Sequence, residues 1–177
     1  MWEKLSRLFR KGNDISAANQ GVEQLEQKAS GLYRQGQYRD ALVFFEQALT
    51  KNKRLHGSKH PFVATNLNDI GAIHVALGDY RKAIGYFEKA LVIDETAHGK
   101  EHPNVARDFN NIGAAWDGLQ DYRRAVEYYM RALAINTTHF APKFPATVAK
   151  DLNNLALALD SLGKPQQALR YLEQAWK

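Results

Sequence analysis

Cysteine is absent from the 177 residues, which rules out disulfides, a thiolate nucleophile and cysteine-held zinc, and fits a reducing, cytoplasmic setting. Apolar runs are short. None approaches the roughly 18 to 20 residues that cross a bilayer, and no continuous apolar centre follows the basic residues near the start, as a signal peptide would require. No G-x-x-x-x-G-K-[ST] phosphate loop occurs, and no serine or threonine has a recognisable base near it in sequence. An enzyme is therefore not expected, and no cofactor is implied. Charge of neither sign dominates: a net charge of +5, with 24% charged residues, is too diffuse to single out nucleic acid, a membrane or an acidic partner, and serves solubility.

What the chain does have is helical periodicity in a repeating unit, best seen from Phe62 to Pro103. Val63, Leu67, Ile70, His74 and Leu77 recur at intervals of three and four, which places them on one face of a helix. Gly78 and Asp79 interrupt the pattern, with Asp79 positioned to cap a second helix that carries Tyr80, Ala83, Ile84, Phe87, Ala90 and Leu91. The unit ends at His98-Gly99-Lys100-Glu101-His102-Pro103, where glycine closes one helix and proline opens the next.

The unit occurs four times. Ala41, Ala83 and Ala125 stand 42 residues apart, as do Phe45, Phe87 and Tyr129, Ala48, Ala90 and Ala132, and Pro61, Pro103 and Pro145; in the fourth copy Ala125, Tyr129 and Ala132 are followed at 43 by Ala168, Leu172 and Ala175. The extra residue falls in the linker from Phe140 to Pro145. A helical hairpin cannot bury both faces alone, so the copies must stack, and a period in this range marks an α-solenoid. Expected boundaries are a 1–21 N-terminal segment and a repeat domain over 22–177, with repeats near 22–61, 62–103, 104–145 and 146–177.

These residues resemble the tetratricopeptide repeat (TPR) family, whose pattern of a large residue, Leu-Gly, an aromatic, Ala, an aromatic and Ala is matched by Leu67, Ile70-Gly71, His74, Ala83, Phe87 and Ala90. Phe109, Ile112-Gly113, Trp116, Ala125, Tyr129 and Ala132 match it again. The 42-residue period, the Asn-Asp or Asn-Asn pairs (Asn68-Asp69, Asn110-Asn111, Asn153-Asn154) and the His-Pro junctions are similar to kinesin light chain repeats. The resemblance implies an all-α, right-handed superhelix of four helix-turn-helix repeats plus a short N-terminal helix. Each helix should be about one turn longer than in the usual repeat of about 34 residues.

The resemblance further implies a non-catalytic protein- or peptide-binding scaffold whose first helices line a concave groove. The groove residues would be Asn68, Ala72, Val75, Arg107, Asn110, Asn111, Ala114, Lys150, Asn153, Asn154 and Leu157. Because amides both donate and accept, a ladder of Asn68, Asn110 and Asn153 would hold the main chain of an extended peptide. The small residues beneath it would leave room for an aromatic anchor, and Arg107 and Lys150 would draw an acidic partner. Against this stands the alternative that the asparagines satisfy groups between helices. In chaperone-binding arrays of the family a lysine-asparagine pair in the first repeat holds a terminal carboxylate; the matching positions here are Glu26 and Ser30, so that partner is not expected.

Both ends invite other readings. The 1–11 segment, with Trp2, Leu5, Leu8 and Phe9 among basic residues, is read as a cap, as a membrane-surface helix, or as a self-association element that occupies the groove of its own or a neighbouring molecule, since Trp2-Glu3 has the tryptophan-acidic form that kinesin light chains bind. Exposed apolar residues on the last hairpin, including Leu169, Leu172 and Trp176, point to self-association or to a longer array, including the regulatory arm of a larger protein. His98 and His102 share the spacing of one metallopeptidase signature, as do His56 and His60. No metal site is expected, because Gly99 and Pro103 break the continuous helix that such a site needs.

Overall fold

The computed structural model describes residues 2–140 and 146–175, with side chains from 16 to 138 and from 146 to 173. The described residues form α1 (Trp2–Arg34), α2 (Tyr38–His56), α3 (Pro61–Ala76), α4 (Tyr80–His98), α5 (Pro103–Gly118), α6 (Tyr122–Phe140), α7 (Ala146–Ser161) and α8 (Pro165–Ala175). First helices of 16 residues and second helices of 19, joined by three- and four-residue connections, account for the 42-residue period. The architecture is the expected all-α solenoid.

The N-terminal segment differs from expectation. α1 runs unbroken for 33 residues through Gly12, Asn13 and Asp14, so there is no separate short helix before the first repeat. A glycine inside a helix costs only about 1 kcal/mol against alanine, and no proline is present there to remove a hydrogen bond. Leu5, Leu8 and Phe9 lie on this helix, in the part whose side chains fall outside the described set, as does the side chain of Trp2.

Helix ends follow local chemistry. Gly57 and Gly99 close α2 and α4 at φ of 91° and 88°, a backbone state that costs glycine nothing. Pro61 and Pro103 occupy the first helical positions of α3 and α5. The residues before them carry an unforeseen cap: Nδ1 of His60 accepts from the Phe62 amide and Nδ1 of His102 accepts from the Asn104 amide, each at 3.2 Å. Asp79 does not cap α4 through its side chain. Its carboxylate takes Lys82 at 3.0 Å and His74 at 3.4 Å, and the Lys82 hydrogen bond holds it below the usual carboxylate range.

The hairpins pack through small residues. Ala41, Ala83, Ala125 and Ala168 are buried at equivalent positions, letting the two helices of each repeat approach closely. Gly113 sits against the Tyr129 ring so tightly that a Cβ there would lie 2.8 Å from it, and Gly71 meets the Phe87 ring in the same way. The apolar core continues from repeat to repeat: Phe45 packs with Ile70 and Ile73, Phe87 with Ile112 and Ala115, and Tyr129 with Leu155 and Leu159. Each such aromatic contributes on the order of 2 to 3 kcal/mol through burial. A continuous core of this kind positions the first helices as one wall.

Candidate functional site

Every side-chain hydrogen bond between neighbouring repeats among the described residues ends on a first helix, and α3 and α5 touch each other directly. The first helices therefore reach one another across the joints and form one wall of the stack. The wall is where the expected groove residues lie, but not all of them face outward.

Asn68 and Asn110 are turned into the joints between repeats. Asn68 is 6% exposed; its Nδ2 donates to Asp108 Oδ1 at 2.7 Å and its Oδ1 accepts from Asn111 at 3.0 Å. Asn110 Nδ2 donates to Asp151 Oδ1 at 2.6 Å. The expected ladder of solvent-facing amides is thus corrected at two of its three rungs, because an unpaired buried carboxylate costs far more than an amide surrendered to it. Only Asn153 is exposed.

The joints are built alike. In the first, Glu26 Oε1 accepts from Asn66 at 2.6 Å and from Asn52 at 3.4 Å, and Asn66 also accepts from Asn52 at 2.7 Å. In the third, Asp151 accepts from Asn110 and from Asn136, both at 2.6 Å. Each holds one carboxylate and two amides. The second joint holds two carboxylates, Asp94 and Asp108, and one amide, Asn68. Arg107 supplies the missing donor, with Nη2 at 3.0 Å from Asp94 and 3.4 Å from Asp108. Burial pushes the Asp108 carboxyl up to about 7, Arg107 and Asn68 oppose this, and Asp94 adds to it.

Arg107 was expected to draw an acidic ligand; its charge is instead largely engaged within the joint. The joint residues on the second helices, Asn52, Asp94 and Asn136, were not anticipated. Their signal was present: they are polar, 42 apart, and each sits among apolar positions of a helix. Periodicity reads polar as outward unless the same polar position recurs in every copy.

The other groove residues remain on the open wall. Ala72, Val75, Asn111 and Asn154 are partly exposed; Ala114, Lys150, Asn153 and Leu157 are exposed, Leu157 at 59%. A cavity of about 370 Å³ opens between α1 and α3, lined by Ser30, Tyr33, Arg34, Phe45, Asp69 and Ala72. Burial, with the nearby Glu26 charge, pushes the Asp69 carboxyl up to about 6. A second cavity of about 350 Å³ lies further toward the N-terminal ends of the same helices, lined by Asn19, Val22, Glu23, Glu26, Asn52, Phe62 and Thr65.

At the proposed association face, Leu172 is half-buried against the Tyr129 cluster rather than open, while Leu169 is 57% exposed; Trp176 lies outside the described residues. Each His pair meets across a helix junction, tilted with ring centroids 4.7 Å apart for His56 and His60 and stacked at 4.4 Å for His98 and His102, and so does not share one helix face. Among the described residues no three histidines, aspartates or glutamates stand close enough to hold a metal, and no helix is long and apolar enough to cross a membrane.

A stack of helical hairpins with a wall of first helices defines a repeat protein of the α-solenoid class. Family comparison matches the tetratricopeptide repeat over residues 22–96, 76–138 and 152–177, and the chain belongs to that family. Such repeats are protein-interaction scaffolds. None of the curated proteins matches. Among solved structures, BtubC (BKLC) from P. vanneervenii is similar with a TM-score of 0.80 at 26% identity, covering 87% of this chain and 61% of that one. A Podosopora anserina protein described as a kinesin light chain with nearly identical TPR-like repeats gives 0.77 at 21%, covering 87% and 72%. The apo form of RapI gives 0.74 at 18%, covering 87% and 54%, so this chain spans between half and three quarters of these structures. The two lower identities speak to fold alone.

Proposed function

We propose that this chain is a non-catalytic scaffold that holds an extended peptide segment of a protein partner against the first-helix wall. The observation that carries it is the open cavity of about 370 Å³ on that wall, floored by Phe45 and Ala72, in line with the exposed Ala114 and Leu157 further along. Clefts of that size with a few polar groups are the usual form of a binding site. Asn153, Asn154, Lys150 and Val75 border the same path and supply polar and apolar contacts to the peptide, while Asn111, whose Nδ2 is given to Asn68, offers its side-chain oxygen. With Asn68, Asn110 and Arg107 engaged in the joints, they hold the wall in shape and do not contact the ligand. A phage-displayed library of unstructured peptides should enrich on the wild type. Enrichment should vanish with Ala72→Trp plus Ala114→Trp while the melting temperature is kept; undiminished enrichment on that variant refutes the assignment.

A second function, self-association, has its own observation. Ile84 and Val126 are covered by the following repeat, whereas Leu169 at the equivalent position is exposed, and Asn153 is exposed where Asn68 and Asn110 bond the next first helix. A first helix fits that face, supplied by a second copy or by a further repeat of a longer chain. Sedimentation equilibrium should then show mass rising with concentration, abolished by Leu169→Lys; one monomeric mass throughout excludes it.

A further inference from the structure

We infer that the cleft between α1 and α3 selects an extended peptide carrying an arginine or lysine four residues from a bulky apolar residue. This rests on the peptide-binding assignment above and adds the chemistry of its ligand.

The two cavities of this cleft differ in character. The one toward the N-terminal ends of the helices is lined by two carboxylates, Glu23 and Glu26, and by no lysine or arginine. Glu26 receives both of its amide donors on Oε1, so Oε2 draws on neither of them. Beside the acids lie Val22 and the Phe62 ring, 51% exposed. An aliphatic stem ending in a cation matches such a lining, with the stem on the ring and the head at the acids. The other cavity is neutral in sum, since Arg34 offsets Asp69, and its remaining walls are Tyr33, Phe45, Ala72 and Ser30. A leucine or aromatic side chain suits it.

The spacing follows from helix geometry. The linings are separated by about seven residues along α3 and about ten along α1. At 1.5 Å per residue that is roughly 10 to 15 Å. Four residues of extended chain cover about 13 Å and return the side chain to the same face; three or five would turn it away. Glu26 and Asn52, in the lining of the acidic cavity, bond Asn66 of α3 and so tie α1 and α3 together there.

Fluorescence anisotropy tests this with a labelled eight-residue peptide of serine and alanine bearing Arg at position 2 and Leu at position 6. Replacing Arg by Glu, or moving Leu to position 5, should each weaken binding about tenfold or more. The exposed Glu23→Lys should erase or reverse the preference for Arg over Glu, and Ala72→Phe should abolish the dependence on Leu, with thermal melts confirming that both variants fold. Binding indifferent to spacing, or a charge preference unmoved by Glu23→Lys, overturns the inference. If the phage library still yields peptides blocked by the Ala72→Trp and Ala114→Trp variant while this peptide does not bind, the ligand chemistry falls and the scaffold stands. If neither binds, both fall.

Discussion

Replacing Asp108 by Asn should make this protein more stable at pH 8 and leave it unchanged near pH 4. Asp108 is fully buried in the second joint, and its carboxyl is raised from 3.8 to about 7. A carboxyl raised on folding binds more protons in the folded than in the unfolded chain between those two values. Its contribution therefore declines as pH climbs from about 4 to about 7 and is constant outside that window. At about 1.4 kcal/mol per pH unit, the whole decline is on the order of 4 kcal/mol. Asparagine keeps an oxygen for the Asn68 donor and gives the joint one carboxylate and two amides, the composition of the other two. Its amide nitrogen would replace Oδ2, which is buried without a hydrogen-bond partner, and an unpartnered donor there offsets roughly 1 to 2 kcal/mol. A net gain of about 1 to 3 kcal/mol is expected at pH 8, read from urea unfolding of both proteins at half-unit steps from pH 4 to 8. Burial also raises the Asp69, Asp117 and Asp151 carboxyls, but these occur in both proteins and cancel in the difference. If the two stability curves run parallel across that range, the burial of the Asp108 carboxyl is not what sets the pH response.

Asn110→Ala should destabilise by about 1 to 3 kcal/mol, since Asp151 would keep only the Asn136 donor in a buried site; an unchanged urea midpoint would contradict the joint as drawn. Gly71→Ala places a methyl group inside the contact distance of the Phe87 ring, and the strain, about 1 to 3 kcal/mol, should outweigh the gain of about 1 kcal/mol from helix propensity, lowering the melting temperature. His102→Ala removes an acceptor for the Asn104 amide and should cost about 1 kcal/mol, seen as faster amide exchange at the start of α5. His102→Asn should restore most of it.

The repeat was legible because it is one-dimensional. Ala41, Ala83, Ala125 and Ala168, the glycine-proline junctions and the 42-residue spacing are properties of order along the chain, and periodic packing demands them wherever the stack goes. Helix continuity was less legible: Gly12, Asn13 and Asp14 weaken a helix locally, yet the element persists across them. The site was legible only in part. Which helix carries Ala72, Ala114 and Leu157, and on which face, followed from position within the repeat. Whether Asn68 meets a peptide or an aspartate 40 residues away did not, because an exposed amide and a buried one have the same spacing. That choice belongs to the tertiary structure. A carboxylate drawn into the joint must be hydrogen-bonded, and the nearest amides of the wall are taken for it before any ligand arrives.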